Sequence, residues 1–267
     1  MSSLEVGIVG YGLAGAVFHA PLIAAEPRMR VAAVVTRSAE RAAQARREHP
    51  GMRVVPDAAT GKLGAVRRFE SRFERWRPVP KGGWREVGAA EEGAGLLYDL
   101  GSHLVDQALT LFGPVRSVYC ELDRRRDGIQ TDDDVFLALT HTGGVRSHLW
   151  ASAVAPRPGP RFRVLGSTAG YVTYGLDPQE DTLRAGRRPC DSSWGAVESD
   201  RWGLLGAEPD LTPHPTLSGD YPAFYAAMAA AILDGAPVPV DPHDAVTTTR
   251  LLEAARRSAA DARIVNT

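Results

Sequence analysis

Asp99 and His103 stand four residues apart in G-A-G-L-L-Y-D-L-G-S-H-L-V-D-Q-A-L, and Asp106 follows three further on. In a helix that spacing puts all three on one face. A carboxylate beside an imidazole can hold the ring's orientation and raise its basicity, which suits a general acid/base acting on a hydroxyl or a carbonyl. Taken alone, the same pair also reads as a surface or helix-capping interaction. A metal pair could use this spacing too, but no third ligand is evident, so no metal is expected.

Gly10-Tyr11-Gly12-Leu13-Ala14-Gly15 fits G-x-G-x-x-G. The first glycine permits a tight turn, the second lets a pyrophosphate approach the backbone, and the third lets a helix pack close to a strand. The anion then rests on the free N–H groups and positive dipole end of that helix. About 20 residues on, an NAD site usually carries an acid for the ribose hydroxyls. Here the chain reads Val34-Val35-Thr36-Arg37-Ser38. Arg37 can pair with a 2′-phosphate, and Thr36 and Ser38 can donate to it, which argues for NADP(H) over NAD(H). The plainer alternative is a solvated Arg37 and a Ser38 that only caps a helix.

These groups need elements to hold them. Leu4 to Val9 is an apolar run leading into the glycine loop, and Ala16 to Ala24 reads as the helix after it. Val31 to Val35 is a second strand and Ser38 to Glu48 a second helix. Arg53 to Val55 begins a third strand, at which Pro56 stops the pattern. This is β-α-β-α, the opening of a parallel sheet. From Gly64 the texture changes. Ala65 to Phe73 is a strand, and Gly95 to Phe112 is a helix ended by Gly113-Pro114. Val115 to Leu122, Asp134 to Thr140, Val145 to Ala153 and Phe162 to Leu165 are closely spaced strands, which implies a largely antiparallel sheet. Residues 175 to 220 read as loop, and Tyr221 to Leu233 and His243 to Arg257 as amphipathic helices.

With 267 residues, 44% hydrophobic and 24% charged, and a net charge of -1, the composition is that of a soluble globular protein of one or two domains. A near-neutral balance gives no reason to expect nucleic acid or an anionic membrane as partner. The opening M-S-S-L-E-V lacks a basic-then-apolar leader, so the cytoplasm is the expected location. Cys120 and Cys190 have no metal-like spacing and read as structural.

The two motifs together, with V-F-H-A-P-L at 17 to 22, F-E-R-W-R-P at 73 to 78, Y-G-L-D-P-Q-E-D-T-L-R-A-G at 174 to 186 and D-Y-P-A-F-Y at 220 to 225, resemble the Gfo/Idh/MocA family of NAD(P)-dependent oxidoreductases. The resemblance covers nearly every residue present and is nearest to the NADP-dependent scyllo-inositol dehydrogenase type. It implies hydride transfer between NADP(H) and a carbon bearing a hydroxyl or ketone, on an inositol-like polyol or a sugar. By matching positions, His103 would exchange the proton of the substrate oxygen and Asp99 would bind a substrate hydroxyl. Gly10, Tyr11, Gly12, Leu13, Ala14 and Gly15, with Thr36, Arg37 and Ser38, would hold the cofactor. Arg75 and Trp84 fall in a loop of the type that lines the substrate pocket, although Trp84 reads equally well as packing. A homo-oligomer formed through the C-terminal sheet is a further implication.

The family also carries an E-K-P-type lysine and the second half of the nucleotide-binding sheet. This chain passes from Val54-Val55-Pro56-Asp57 to Gly61-Lys62-Leu63-Gly64 without either, and its only lysines are Lys62 and Lys81. The expected fold is therefore a truncated N-terminal Rossmann-like parallel sheet (residues 1–60, α/β), followed by an α+β domain with a large, mainly antiparallel sheet (61–267). The last helices would pack back on the first domain. Two readings stay open: an oxidoreductase, or a catalytically impaired remnant that binds ligand or oligomerises.

Overall fold

The computed structural model describes residues 4–9, 20–25, 27, 29–35, 39–50, 52–55, 61–189 and 194–267. The glycine loop 10–15 and Thr36, Arg37 and Ser38 lie outside these residues, as does Cys190. The chain divides into two units. One comprises Met1–Ala65 with Asp220–Val240, and the other Val66–Gly219 with Asp241–Thr267.

In the first unit β1 (Leu4–Val9), β2 (Met29–Val35) and β3 (Arg53–Val55) form a parallel sheet in the order β1-β2-β3. α1 (Ala20–Ala25) and α2 (Ala39–Glu48) alternate with the strands, as β-α-β crossovers require. Ala20, Val31, Val34, Ala45 and Met52 make a small core that Ile23 packs against. Val9 pairs with Val35, so the two parallel strands end side by side.

The second unit is built on nine strands. β4 (Arg68–Glu74) precedes the short helix α3 (Trp84–Val87), and α4 (Ser102–Phe112) leads into β5 (Val115–Asp123), β6 (Asp134–His141) and β7 (Arg146–Ser152). β8 (Phe162–Leu165) and β9 (Gly170–Thr173) follow, then α5 (Gln179–Arg184), β10 (Gly203–Gly206) and β11 (Thr212–His214). After α6 (Tyr221–Asp234), which clusters with the first unit, come α7 (Pro242–Asp261) and β12 (Val265–Asn266). The strand order is β11-β10-β9-β8-β4-β7-β6-β5-β12. Every pairing is antiparallel except β4 with β7, which run parallel from Arg68↔Arg146 to Glu74↔Ser152.

Alternation fixes which face of this sheet is covered. In β6, Val135, Leu137, Leu139 and His141 are buried while Phe136, Ala138 and Thr140 are half-buried on the other side. α4 lays Leu104, Val105, Ala108 and Phe112 on the sheet, and α7 buries Leu251, Leu252 and Ala255 beside it, joining Phe69, Val118 and Leu149 in one core. Gly113 at φ 74 ends α4, its N–H reaching the carbonyl of Leu109. The stretch 175–220, read as loop, contains α5, β10 and β11. These short strands are rich in Gly, Leu and Pro, and β10 is placed by pairing with β9 and β11 by pairing with β10.

Candidate active site

Asp99 sits in a single π-helical turn, Leu97–Gly101, that opens α4. Such turns are rare and concentrate at functional sites. The start of this one is capped from a distant loop. Oδ2 of Asp132 accepts the Leu97 N–H at 2.6 Å, and the Asp132 carbonyl accepts the Leu96 N–H at 2.9 Å. The approach demands glycine at 95, which has φ +102 and where a Cβ would lie 2.3 Å from Oδ1 of Asp132. Burial raises the pKa of Asp132, against the pull of the backbone amides of Leu97, Asp132 and Leu96.

From this turn Asp99 reaches the loop after β4. Arg85 Nε donates to its Oδ1 at 2.9 Å, and the same guanidinium lies 4.8 Å from the ring centre of Trp84. Arg126 anchors the loop from below, donating to Asp133 at 2.7 Å and to Glu86 at 2.9 Å. Burial works to raise the Glu86 pKa, but the amides of Gly82 and Lys81 and the Arg126 guanidinium hold it below the usual value. These groups enclose a cavity of about 280 Å³ lined by Arg75, Trp84, Arg85, Asp99 and Asp132, and by Arg77 and Lys81 at its mouth. A larger groove, about 960 Å³, runs along α7 and is mostly apolar, and none of the sequence-derived site residues lines it.

Three of the sequence candidates thus share one cavity: Asp99, Arg75 and Trp84. His103 does not line it. It is exposed in the first turn of α4, its ring edge-on to Phe73 with centroids 6.3 Å apart. Asp99 is paired with Arg85, and no Asp99–His103 hydrogen bond occurs among the described residues. The acid that feels His103 is Asp106, whose pKa is raised by partial burial and by Asp244 and lowered by His103. Half-buried Arg75 has its pKa lowered by burial and by neighbouring Arg77. The sequence reading missed the supporting groups Arg85, Arg126, Asp132 and Asp133. The signal available for the last three was the matched runs Arg124-Arg125-Arg126 and Asp132-Asp133-Asp134.

Comparison with known proteins follows the second unit. Residues 58–172 match the GFO/IDH/MocA C-terminal domain. The chain is 35% identical over 211 residues to scyllo-inositol 2-dehydrogenase (NADP(+)) IolW of Bacillus subtilis, a match covering 77% of this chain and 58% of that protein. It is 39% identical over 205 residues to the uncharacterized oxidoreductase YdgJ of Escherichia coli, covering 75% of this chain and 58% of that one. The chain thus spans 58% of the length of these curated relatives. Among solved structures, yvaA of Bacillus subtilis superimposes with TM-score 0.72 at 26% identity, over 100% of this chain and 99% of that chain. An oxidoreductase from Bacillus cereus does so with TM-score 0.67 at 27% identity, over 78% and 69% respectively. A mainly antiparallel sheet backed by α4 and α7, a π-turn presenting Asp99, and these likenesses lead to one assignment: the chain belongs to the GFO/IDH/MocA family.

Proposed function

We propose that this chain is an oxidoreductase that binds NADP(H) and interconverts a CH–OH group and a ketone on a polyol or sugar of inositol-like kind. The observation carrying the proposal is the cavity that gathers Asp99, Arg75 and Trp84, in a unit that matches an oxidoreductase family. IolW, a 35% identical relative, is named as NADP(+)-dependent on scyllo-inositol.

The first unit fits a dinucleotide. The ends of β1 and β2 are adjacent through the Val9↔Val35 pair. Ligands of open parallel sheets bind outside such carboxyl ends. Gly10, Tyr11, Gly12, Leu13, Ala14 and Gly15 would hold the pyrophosphate, and Thr36, Arg37 and Ser38 the 2′-phosphate. When bound, the nicotinamide gives or takes the hydride. Within the second unit, Asp99 orients a substrate hydroxyl while Arg85 fixes the carboxylate. His103, exposed on α4, exchanges the proton of the reacting oxygen, and the Trp84 ring closes one side of the cavity.

The alternative is a remnant that binds ligand or self-associates without turnover. Two observations favour it: the absence of an E-K-P lysine and the 58% span of the relatives. The partner in either case is a second copy of this chain, through the open face of the large sheet. There Phe136 and Trp150 lie 5.2 Å apart and Arg72 stacks on Trp150 at 3.9 Å. Following NADPH formation with scyllo-inositol, myo-inositol and sugars separates the readings, since rates at the level of intact relatives refute the remnant. Measuring NADPH and NADH affinity in the wild type and Arg37→Ala tests the cofactor, and an unchanged preference refutes the role of Arg37.

A further inference from the structure

The cavity beside Asp99 has an unbalanced lining. Four carboxylates face it, and each is already engaged. Asp99 takes Arg85, Glu86 takes Arg126 and two amides, Asp133 takes Arg126 and the amides of Arg125 and Arg126, and Asp132 takes the Leu97 amide. Of five cations, Arg85 and Arg126 are paired. The side chains of Arg75, Arg77 and Lys81 make no hydrogen bond or ion pair among the described residues, although all three line the cavity. The other carboxylate that Arg75 feels, Glu180, is bound to Arg184 at 2.5 Å.

Arg75 is the informative member. Its N–H is fixed on the carbonyl of Ser152 at 2.9 Å, which sets its place at the end of β4, and its side chain is half-buried next to a like charge. A guanidinium half withdrawn from water and without an acceptor favours a ligand that supplies one. A planar carboxylate matches its forked donors in bidentate fashion. The cavity, about 280 Å³, is at the small end for ligand sites, the size for one monosaccharide-like molecule. Asp99, whose Oδ2 is not taken by Arg85, offers that molecule an acceptor for a hydroxyl.

We infer that this cavity selects a carboxylate-bearing sugar derivative, an aldonate or uronate, over a neutral polyol, with Arg75 as the group that reads the carboxylate. Arg77 and Lys81 add attraction at the mouth. This rests on the oxidoreductase reading and sets an acidic sugar in place of the neutral inositol-like polyol named there, and its test reads binding without cofactor, so the two can fail separately.

The full chain is titrated with D-gluconate, D-galacturonate, D-glucose, myo-inositol and inorganic phosphate at fixed ionic strength, by calorimetry and by fluorescence of its tryptophans. The carboxylates bind at least tenfold more tightly than glucose and inositol. Arg75→Ala and the near-isosteric Arg75→Gln each weaken gluconate about 10- to 100-fold, the range of a charge-assisted hydrogen bond. Arg75→Lys restores part of the loss, and glucose binding falls at least tenfold less than gluconate binding in all three. Near-ultraviolet circular dichroism confirms that the variants keep the wild-type fold. Equal affinity for gluconate and glucose, or gluconate binding indifferent to Arg75→Gln in a folded variant, overturns the inference. Phosphate binding as tightly as gluconate overturns the carboxylate assignment. Gluconate binding without any NADP-linked turnover leaves this inference standing and sinks the oxidoreductase reading.

Discussion

Replacing Asp132 separates two things its carboxylate does. It caps the π-turn that carries Asp99, through the 2.6 Å bond from the Leu97 N–H, and its burial penalises the charged form. Asp132→Ala removes the cap. Losing a capping side chain costs about 0.5–2 kcal/mol, and a hydrogen bond to a charged group is worth about 1.5–3 kcal/mol, so about 1–3 kcal/mol is expected. For a domain of this size that lowers Tm by roughly 2–12 °C. Asp132→Asn keeps an acceptor for the Leu97 amide while removing the charge, so at neutral pH it loses much less. The pH dependence has a definite sign. A carboxyl whose folded pKa is raised contributes stability that is present below its unfolded pKa and lost as pH rises through the folded one. The Asn variant escapes that loss, so it gains on the wild type as pH rises from the unfolded value of 3.8 through the raised folded value. Thermal unfolding followed by near-ultraviolet circular dichroism between pH 4 and 8 reads all three proteins. Equal losses in Asn and Ala at every pH, or no loss in Ala, refute this account of the turn.

His103→Gln, which keeps the size of the ring on the exposed first turn of α4, lowers kcat for NADP-dependent oxidation about 10²–10⁴-fold and leaves NADPH affinity unchanged in a fluorescence titration. Phe136→Glu breaks the aromatic cluster with His148 and Trp150 and shifts the chain to monomer in size-exclusion chromatography with light scattering, without loss of the far-ultraviolet spectrum. Cys120 is buried with its pKa pushed up to about 12, by burial first and then by Asp132 and Glu121, so mass spectrometry finds it unalkylated by iodoacetamide in the native protein and alkylated in guanidinium.

What the sequence made legible was set by periodicity. Val135 to Leu139 is a short apolar run between Asp134 and Thr140, and β6 forms there with its odd-numbered residues buried. Tyr221 to Leu233 and His243 to Arg257 anticipate α6 and α7, whose first turns are capped by Asp220 and Asp241. The parallel pairing of β4 with β7 was not legible, because it joins strands separated by α4, β5 and β6, and no local pattern specifies a partner so distant. Nor was the spacing of Asp99 and His103 enough. Four residues apart is one face of a regular helix, but Leu97–Gly101 is wound as a π-turn, and Asp99 is turned to Arg85 while His103 rests on Phe73. The runs Arg124–Arg126 and Asp132–Asp134 look like solvated charge. Instead Arg126 and Asp133 are buried against one another, with side chains 6% and 3% exposed. Charge runs usually mark surface, and only the fold decides which members fold inward.

The contacts that fix Asp99 all belong to one stretch of chain. Arg85, Glu86, Gly95, Arg126, Asp132 and Asp133 lie between Val66 and Gly219, inside the second unit. None of these contacts uses β1, β2 or β3. Removing one buried member, such as Asp133, would leave Arg126 with Glu86 as its acidic partner and loosen the cavity wall directly. On the proposed reading, ligand recognition belongs to the second unit, whereas hydride transfer also needs a dinucleotide on the first. A chain spanning 58% of its relatives' length can retain the former independently of the latter, which is why binding and turnover must be measured separately.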